Sequence, residues 1–218
     1  KETEQYARSI GAQRIVIQQP PGIYLKEPDE KIEFALRYHG FSVEMSELTL
    51  YLTTMGHCSS TLERNVRKAT KMGLTFQEVD DARAVGNFIQ EHKELKGIPM
   101  SVGAEEMVAL HQTLGNKIRF FTACSYENRV IAGLMVNHLN ETAALGFNWA
   151  HEPDHQHLRP TDFILYRAAD KLFSEGLRLF DLGTATRGGE PDWGITSFKE
   201  KFGARGAMRT RYAKEIIP

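Results

Sequence analysis

Five groups of side chains in this chain have the types and spacing to do chemistry. DWGITSFKEKFGARG (192–206) sets Lys199 and Lys201 on one short turn, between two phenylalanines and a glycine. Either that turn fixes an ammonium where a reaction needs positive charge, or both lysines are solvated on a helix surface that Gly203 stops. Asp181 lies near the end of the strand-like run LRLFDLG (177–183), the end at which open α/β sheets usually hold ligands. It is placed to order an amine or take its proton; the plain alternatives are capping the next loop or pairing with Arg187. Arg187 belongs to TATRGGEPDWG, a loop that either closes over a substrate carboxylate or phosphate or carries an ordinary surface arginine. HEPDHQHLRPTD (151–162) gathers His151, His155 and His157 with several carboxylates. Their spacing repeats no metal-ligand pattern, which favours solvated loop histidines. Arg64, Arg67, Lys68 and Lys71 share one stripe of a helix whose opposite face carries Leu62, Val66 and Ala69. Such a stripe contacts the phosphates of a polyanion or is a solvated face.

The whole chain narrows the setting. It has 218 residues, 41% apolar and 25% charged, with a net charge of −1, enough for one large core or two modest ones. Near-neutral charge gives no global argument for nucleic acid or membrane, so any polyanion site is local. Cys58 and Cys124 sit in unrelated contexts and form neither a disulfide framework nor zinc spacing. No apolar run approaches the roughly 20 residues of a membrane span, and no signal peptide is visible. The expected compartment is a reducing cytoplasm. The first residue is Lys1, and KETEQYARSIG reads as the back half of a helix, so the expectation is a polypeptide that begins earlier.

The elements that position these groups follow from periodicity and punctuation. Residues 4–10 end a helix at Gly11, RIVIQ (14–18) is a strand, Lys31–His39 a helix with Ile32, Ala35 and Leu36 on one face, and 43–54 a strand. A different unit begins near Ser59, where Ser59 or Ser60 caps a helix ending at Gly73. A strand (74–79) and two helices (Asp80–Lys96, Ala104–Leu114) come next. Three meander strands (118–124, 130–139, 141–150) lead to a polar loop (151–159) and an amphipathic helix (160–176). A strand (177–183), a glycine-containing loop (184–194), the short helix SFKEKF and a final strand MRTRYAKEI close the chain. A meander followed by a strand–helix crossover makes a mixed, half-parallel α/β sheet with helices on both faces.

The chain also repeats itself. YARSIGAQRIVI…EKIEFALRYHGF…ELTLYLT and LFSEGLRLFDLG…ITSFKEKFGA…MRTRYA share one grammar of helix, glycine, strand, loop, helix, glycine, strand, at nearly the same spacing. Residues 1–56 are thus expected to be the rear half of a first domain and 57–218 a complete second one. A half-domain leaves sheet edges that need covering, by a missing half, the neighbouring domain or a second copy of the chain.

With RNVRKATKMGL, NRVIAGLMV, FSEGLRLFDLG and above all FKEKFGA in this order, the chain resembles tandem GNAT acyltransferases of the Fem-like kind. Those include peptidoglycan aminoacyl transferases and their acetyltransferase relatives. The resemblance implies catalysis where Ala143–Trp149 and Leu177–Leu182 splay apart, with the Phe198–Lys199 pair facing the reacting carbonyl. Acyl transfer to an amine passes through an oxyanion that Lys199 would stabilise, with Asp181 and Arg187 positioning the acceptor. Asn148 and Trp149 end the fourth strand, where backbone N–H groups of GNAT proteins bind the acyl carbonyl. Arg159 and Tyr166, flanking and within the crossover helix, complete the expected substrate contacts, and the stripe of Arg64, Arg67, Lys68 and Lys71 is the candidate surface for the phosphates of tRNA or a nucleotide-linked precursor. The implied donor is acyl-CoA or an aminoacyl-tRNA, the acceptor a small amine, a sugar amine or a peptidoglycan precursor, with no metal. The chain departs from CoA-binding relatives at 151–162, which has no glycine and carries Glu152, Asp154 and Asp162, Arg159 being its only fixed positive charge. A GNAT-like binding module without catalysis is the rival from another class.

Overall fold

A computed structural model describes residues 2–27 and 29–216. The described residues divide into two compact units, one formed by 2–27, 29–50, 184–196 and 206–216, the other by 51–183 and 197–205.

The first unit contains α1 (Glu2–Ser9), β1 (Arg14–Gln18), α2 (Lys31–Tyr38), most of β2 (Ser42–Leu52) and most of β10 (Arg205–Glu215). Its strands run β1-β10-β2, with β1 antiparallel to β10 from Arg14 opposite Glu215 to Gln18 opposite Arg211. Leu36, Phe41 and Tyr212 make a small core backed by Ile15 and Ile17. Of the expected apolar face of α2 only Leu36 is buried, and Ile32 is exposed. The stretch expected as an open loop folds into a two-residue hairpin, β8 (Thr186–Arg187) against β9 (Glu190–Pro191).

The second unit holds the larger core. Its sheet runs β7-β6-β5-β4-β3, from β3 (Thr75–Val79), β4 (Ile118–Cys124), β5 (Val130–His138), β6 (Ala143–His151) and β7 (Leu179–Thr184). Neighbours are antiparallel except β6 and β7, which are parallel through the crossover helix α6 (Pro160–Ser174). The near-continuous apolar runs of β4 and β5 are explained by burial on both faces. Phe121, Ala123, Leu134 and Val136 pack with α3 (Ser60–Lys71) and α6 on one side. Phe120 and Met135 pack with α4 (Ala82–Glu94) and α5 (Ala104–Leu114) on the other. Ser59 is the residue that caps α3, its hydroxyl accepting from Leu62 N at 3.2 Å.

The helix α7 (Trp193–Glu200) starts four residues before SFKEKF, because Asp192 accepts from Ile195 N at 3.0 Å and caps an earlier turn. It ends in the lysine-bearing turn. Phe202 is fully buried, Phe198 lies 5.5 Å from it, and Gly203 turns the chain at φ +80°. The end of this turn is tied to the start of α3: Ser59 N–H donates to Lys201 O at 2.8 Å, and the Cys58 thiol to Phe202 O at 3.6 Å. The polar loop expected after β6 is partly ordered. β6 reaches His151, and Pro153–Leu158 coil into a 3-10 turn.

Candidate active site

The site is built where β6 leaves β7. The two strands pair over Ala143–Leu145 against Leu179–Asp181, whereas β6 stays paired to β5 as far as His151. A register shift sets Met135 opposite Asn148 and Val136 opposite Gly146, leaving Phe147 as an extra residue. Such a bulge bends the strand that carries it, here just beyond the last rung shared with β7.

Asp181 and Lys199 come together in this gap. Asp181 is 0% exposed, and its Oδ1 accepts from Gly183 N–H at 2.6 Å. Lys199 is 2% exposed, and its Nζ lies 3.7 Å from the position a Gly183 Cβ would take. Its ammonium also stands over the Trp149 ring, 5.8 Å from the centroid. Neither charged group is without partners. The solvated-surface reading of Lys199 is excluded, since a 2%-exposed ammonium has no bulk water around it. Asp181 does cap the following turn, and Arg187 pairs instead with Asp192, at 3.0 Å, within the first unit.

Beside Lys199 opens a cleft of about 330 Å³. Trp149, Phe198 and Pro160 form apolar walls, and the basic groups reaching it are Lys93, Lys96, Arg159 and Lys201. Lys201, on the same turn as Lys199, lines this cleft. Its ammonium lies 4.4 Å above the Phe198 ring and 2.6 Å from Asp162, which is buried in the first turn of α6 and also accepts from Asn65 at 2.7 Å. Lys93 Nζ donates to Asn148 Oδ1, and burial lowers the pKa of that ammonium. Burial, with Lys96 and His92 adding to it, brings the His151 imidazole down to about 4. The ring is therefore neutral, accepting from Lys96 Nζ at 3.3 Å through Nε2 and donating to Thr161 Oγ1 at 2.8 Å through Nδ1.

The other expected residues sit as follows. Trp149 and Arg159 line the cleft, while Asn148 is buried behind Lys93. Tyr166 lies half-buried against the α3–α6 side of the core, where burial raises its phenol pKa. Arg64, Arg67, Lys68 and Lys71 are all exposed, Arg67 facing Glu63 at 3.9 Å. His155 and His157 stack 6.3 Å apart on the 3-10 turn, and among the described residues no group of His, Cys, Asp and Glu is arranged to hold a metal. Lys93, Lys96, His151 and Asp162 were not legible as cleft residues. Lys93 and Lys96 read as ordinary basic residues closing a helix. Asp162 and Lys201 lie 39 positions apart, so no local spacing links them.

A CoA pyrophosphate would normally rest on the free N–H groups at the start of α6. Here Pro160 removes one N–H, and the buried Asp162 carboxylate already occupies that turn. The residues present do not fit a pyrophosphate bound in that manner.

A meander, a parallel crossover and a splay between its strands are the architecture of the GNAT fold. A family profile described as "Acetyltransferase (GNAT) domain" matches residues 56–200, and the chain belongs to that family. No curated protein matches the sequence significantly. Among solved structures, FemX superposes with a TM-score of 0.76 at 10% identity, over 98% of this chain and 75% of that one. The C-terminal domain of a protein assigned as a lysylphosphatidylglycerol synthetase from Agrobacterium fabrum gives 0.71 at 17% identity, over 97% and 70%. A tandem GNAT protein from the clavulanic acid biosynthesis pathway gives 0.57 at 11% identity, over 100% and 68%. These likenesses are of fold. Among the described residues no helix is long and apolar enough to cross a membrane.

Proposed function

We propose that the chain transfers an aminoacyl group from a charged tRNA to an amine of a cell-envelope precursor or lipid, in the cytoplasm where such tRNA is made. The observation that carries the acyl-transfer chemistry is the burial of Lys199 in the gap between β6 and β7. An amine attacking an ester carbonyl forms a C–N bond and an oxyanion, which then expels the ribose hydroxyl while the amine's proton leaves. A preorganised cation in a dry gap acts on that oxyanion without reorganising when the charge develops. Asp181, tied to the same Gly183, orients the acceptor amine or takes its proton. The exposed stripe Arg64–Lys71 contacts the tRNA backbone.

Two features favour an aminoacyl donor over acetyl-CoA. Asp162 and Pro160 spoil the usual pyrophosphate seat, and one fold neighbour is named for the synthesis of a lysylated lipid. Lys199→Met should lower turnover with the true donor by ~10²-fold or more while the protein still folds. Unchanged turnover would remove Lys199 from the chemistry. Thermal unfolding in the presence of acetyl-CoA or of charged tRNA separates the donors, since only a ligand of the native state stabilises it. Stabilisation by acetyl-CoA alone would overturn the aminoacyl reading, and binding of tRNA without any transfer would favour a silent binding module.

A further inference from the structure

The cleft has an unbalanced charge. Four basic side chains reach it, and Asp162 is the sole acidic residue among those lining it. Asp162 is already engaged by Lys201 at 2.6 Å and by Asn65 at 2.7 Å. That leaves Lys93, Lys96 and Arg159 to a single cavity. Lys93 and Lys96 are held by neutral acceptors, the Asn148 amide and the His151 ring, rather than by carboxylates. Arg159 is fixed at its backbone, in the left-handed conformation at φ 60° just before Pro160. We propose that Lys93, Lys96 and Arg159 bind an anionic oxygen group of a substrate, a carboxylate or a phosphate, inside this cleft. The proposal rests on the reading of the neighbouring gap at Lys199 as the site of acyl transfer, and it names the chemistry of one molecule that would approach that gap through the cleft.

Three physical points support it. Cations oriented by neutral partners keep their charge for a ligand, whereas an internal carboxylate would consume it. Trp149 and Phe198 line one side of this half-open cleft and Lys93 is half-buried, so an anion against Lys93 is less screened than at a fully exposed surface. Lys93 already shows the cost of its position, because burial lowers its pKa, and an incoming anion would relieve that cost. Basic residues at the end of α4 also offset the carbonyl end of the helix. That role is filled equally well at the solvent surface and gives no reason to turn Lys93 inward against Asn148.

The test is calorimetric titration and thermal unfolding of the whole chain with inorganic phosphate, pyrophosphate and succinate. The wild type is compared with Lys93→Met, Lys96→Met and, as a surface control, Lys117→Met, at an exposed lysine just ahead of β4. One class of probe should bind saturably and more weakly at high salt. Affinity should drop roughly tenfold in Lys93→Met and in Lys96→Met, the loss of one charge-assisted contact, and stay unchanged in Lys117→Met. A preference for the phosphates indicates a phosphorylated substrate, and a preference for succinate a carboxylate such as a peptide terminus; either supports the site. Lys96 is exposed, so its variant tests the site even if Lys93→Met unfolds. No binding of any probe at millimolar concentration, or equal losses in Lys117→Met, overturns the proposal. These readouts need no turnover. Probe binding by a chain that transfers no acyl group would sink the functional reading alone, and transfer without probe binding would sink the anion site alone.

Discussion

Replacing Gly203 by alanine tests how the lysine-bearing turn is held. An added Cβ would stand 2.6 Å from the His57 carbonyl oxygen and 2.9 Å from both its carbonyl carbon and its Cβ. The residue also has φ +80°, a left-handed conformation that costs a residue with a side chain about 1–2 kcal/mol. Gly176 gives the matching control. It has φ +98°, and a Cβ there would meet nothing within 4 Å. Gly176→Ala should therefore show the conformational cost alone. Gly203→Ala should add about 1–3 kcal/mol, because the clash is with backbone, and backbone cannot swing aside as a side chain can. Urea unfolding measures both, read from Trp149 emission in a Trp193→Phe background. The protein has two tryptophans, and Trp193 is 73% exposed, so its removal disturbs little. Transfer activity should fall more in Gly203→Ala than in Gly176→Ala, since the displaced turn carries Lys199 and Lys201. Equal destabilisation by the two substitutions would refute the reasoning: the turn would then not be pinned against His57.

Further predictions concern charge. Lys201→Met should destabilise by about 2–3 kcal/mol, because it strands the Asp162 carboxylate, 5% exposed, with Asn65 as its remaining hydrogen-bond donor among these contacts. Adding Asp162→Asn should recover most of that loss in a double-mutant cycle, and strict additivity would show that the pair is not coupled. Hydrogen bonding from Arg119 holds the Glu175 carboxyl down, to about 2. Its contribution is therefore present above the ordinary value of 4.5 and lost as pH falls from there toward 2. With 41% of that side chain exposed, solvent screening limits the contribution to about 1 kcal/mol or less. Glu175→Gln should flatten the acid limb of stability against pH, as followed by thermal unfolding, and an unchanged limb would assign it to other carboxylates.

Much of the fold was written locally. The alternation of 43–54, the caps at Ser59 and Gly73, the meander turns and the crossover helix follow from periods, caps and turn residues that act within a few positions. The glycine after FKEKF likewise announced a helix stop, and Gly203 adopts the positive φ such a stop needs. The start of α7 is not legible locally because its capping carboxylate, Asp192, lies in a stretch that reads as loop.

The site was legible only in part. Local sequence singled out Lys199 by its place between two phenylalanines, one of them fully buried, and Asp181 by its place at the end of a strand. What surrounds them was decided in three dimensions. A bulge at Phe147 and a pairing that stops at Leu145 open the gap, and neither leaves a mark in composition or period. The pairing of Asp162 with Lys201, and the approach of Lys93 and Lys96 to the end of β6, join residues dozens of positions apart. Periodicity fixes which face of an element is apolar, because that depends on neighbours a few residues away. Which charges meet in a cleft depends on how packed helices bring distant segments together, and only the folded core sets that.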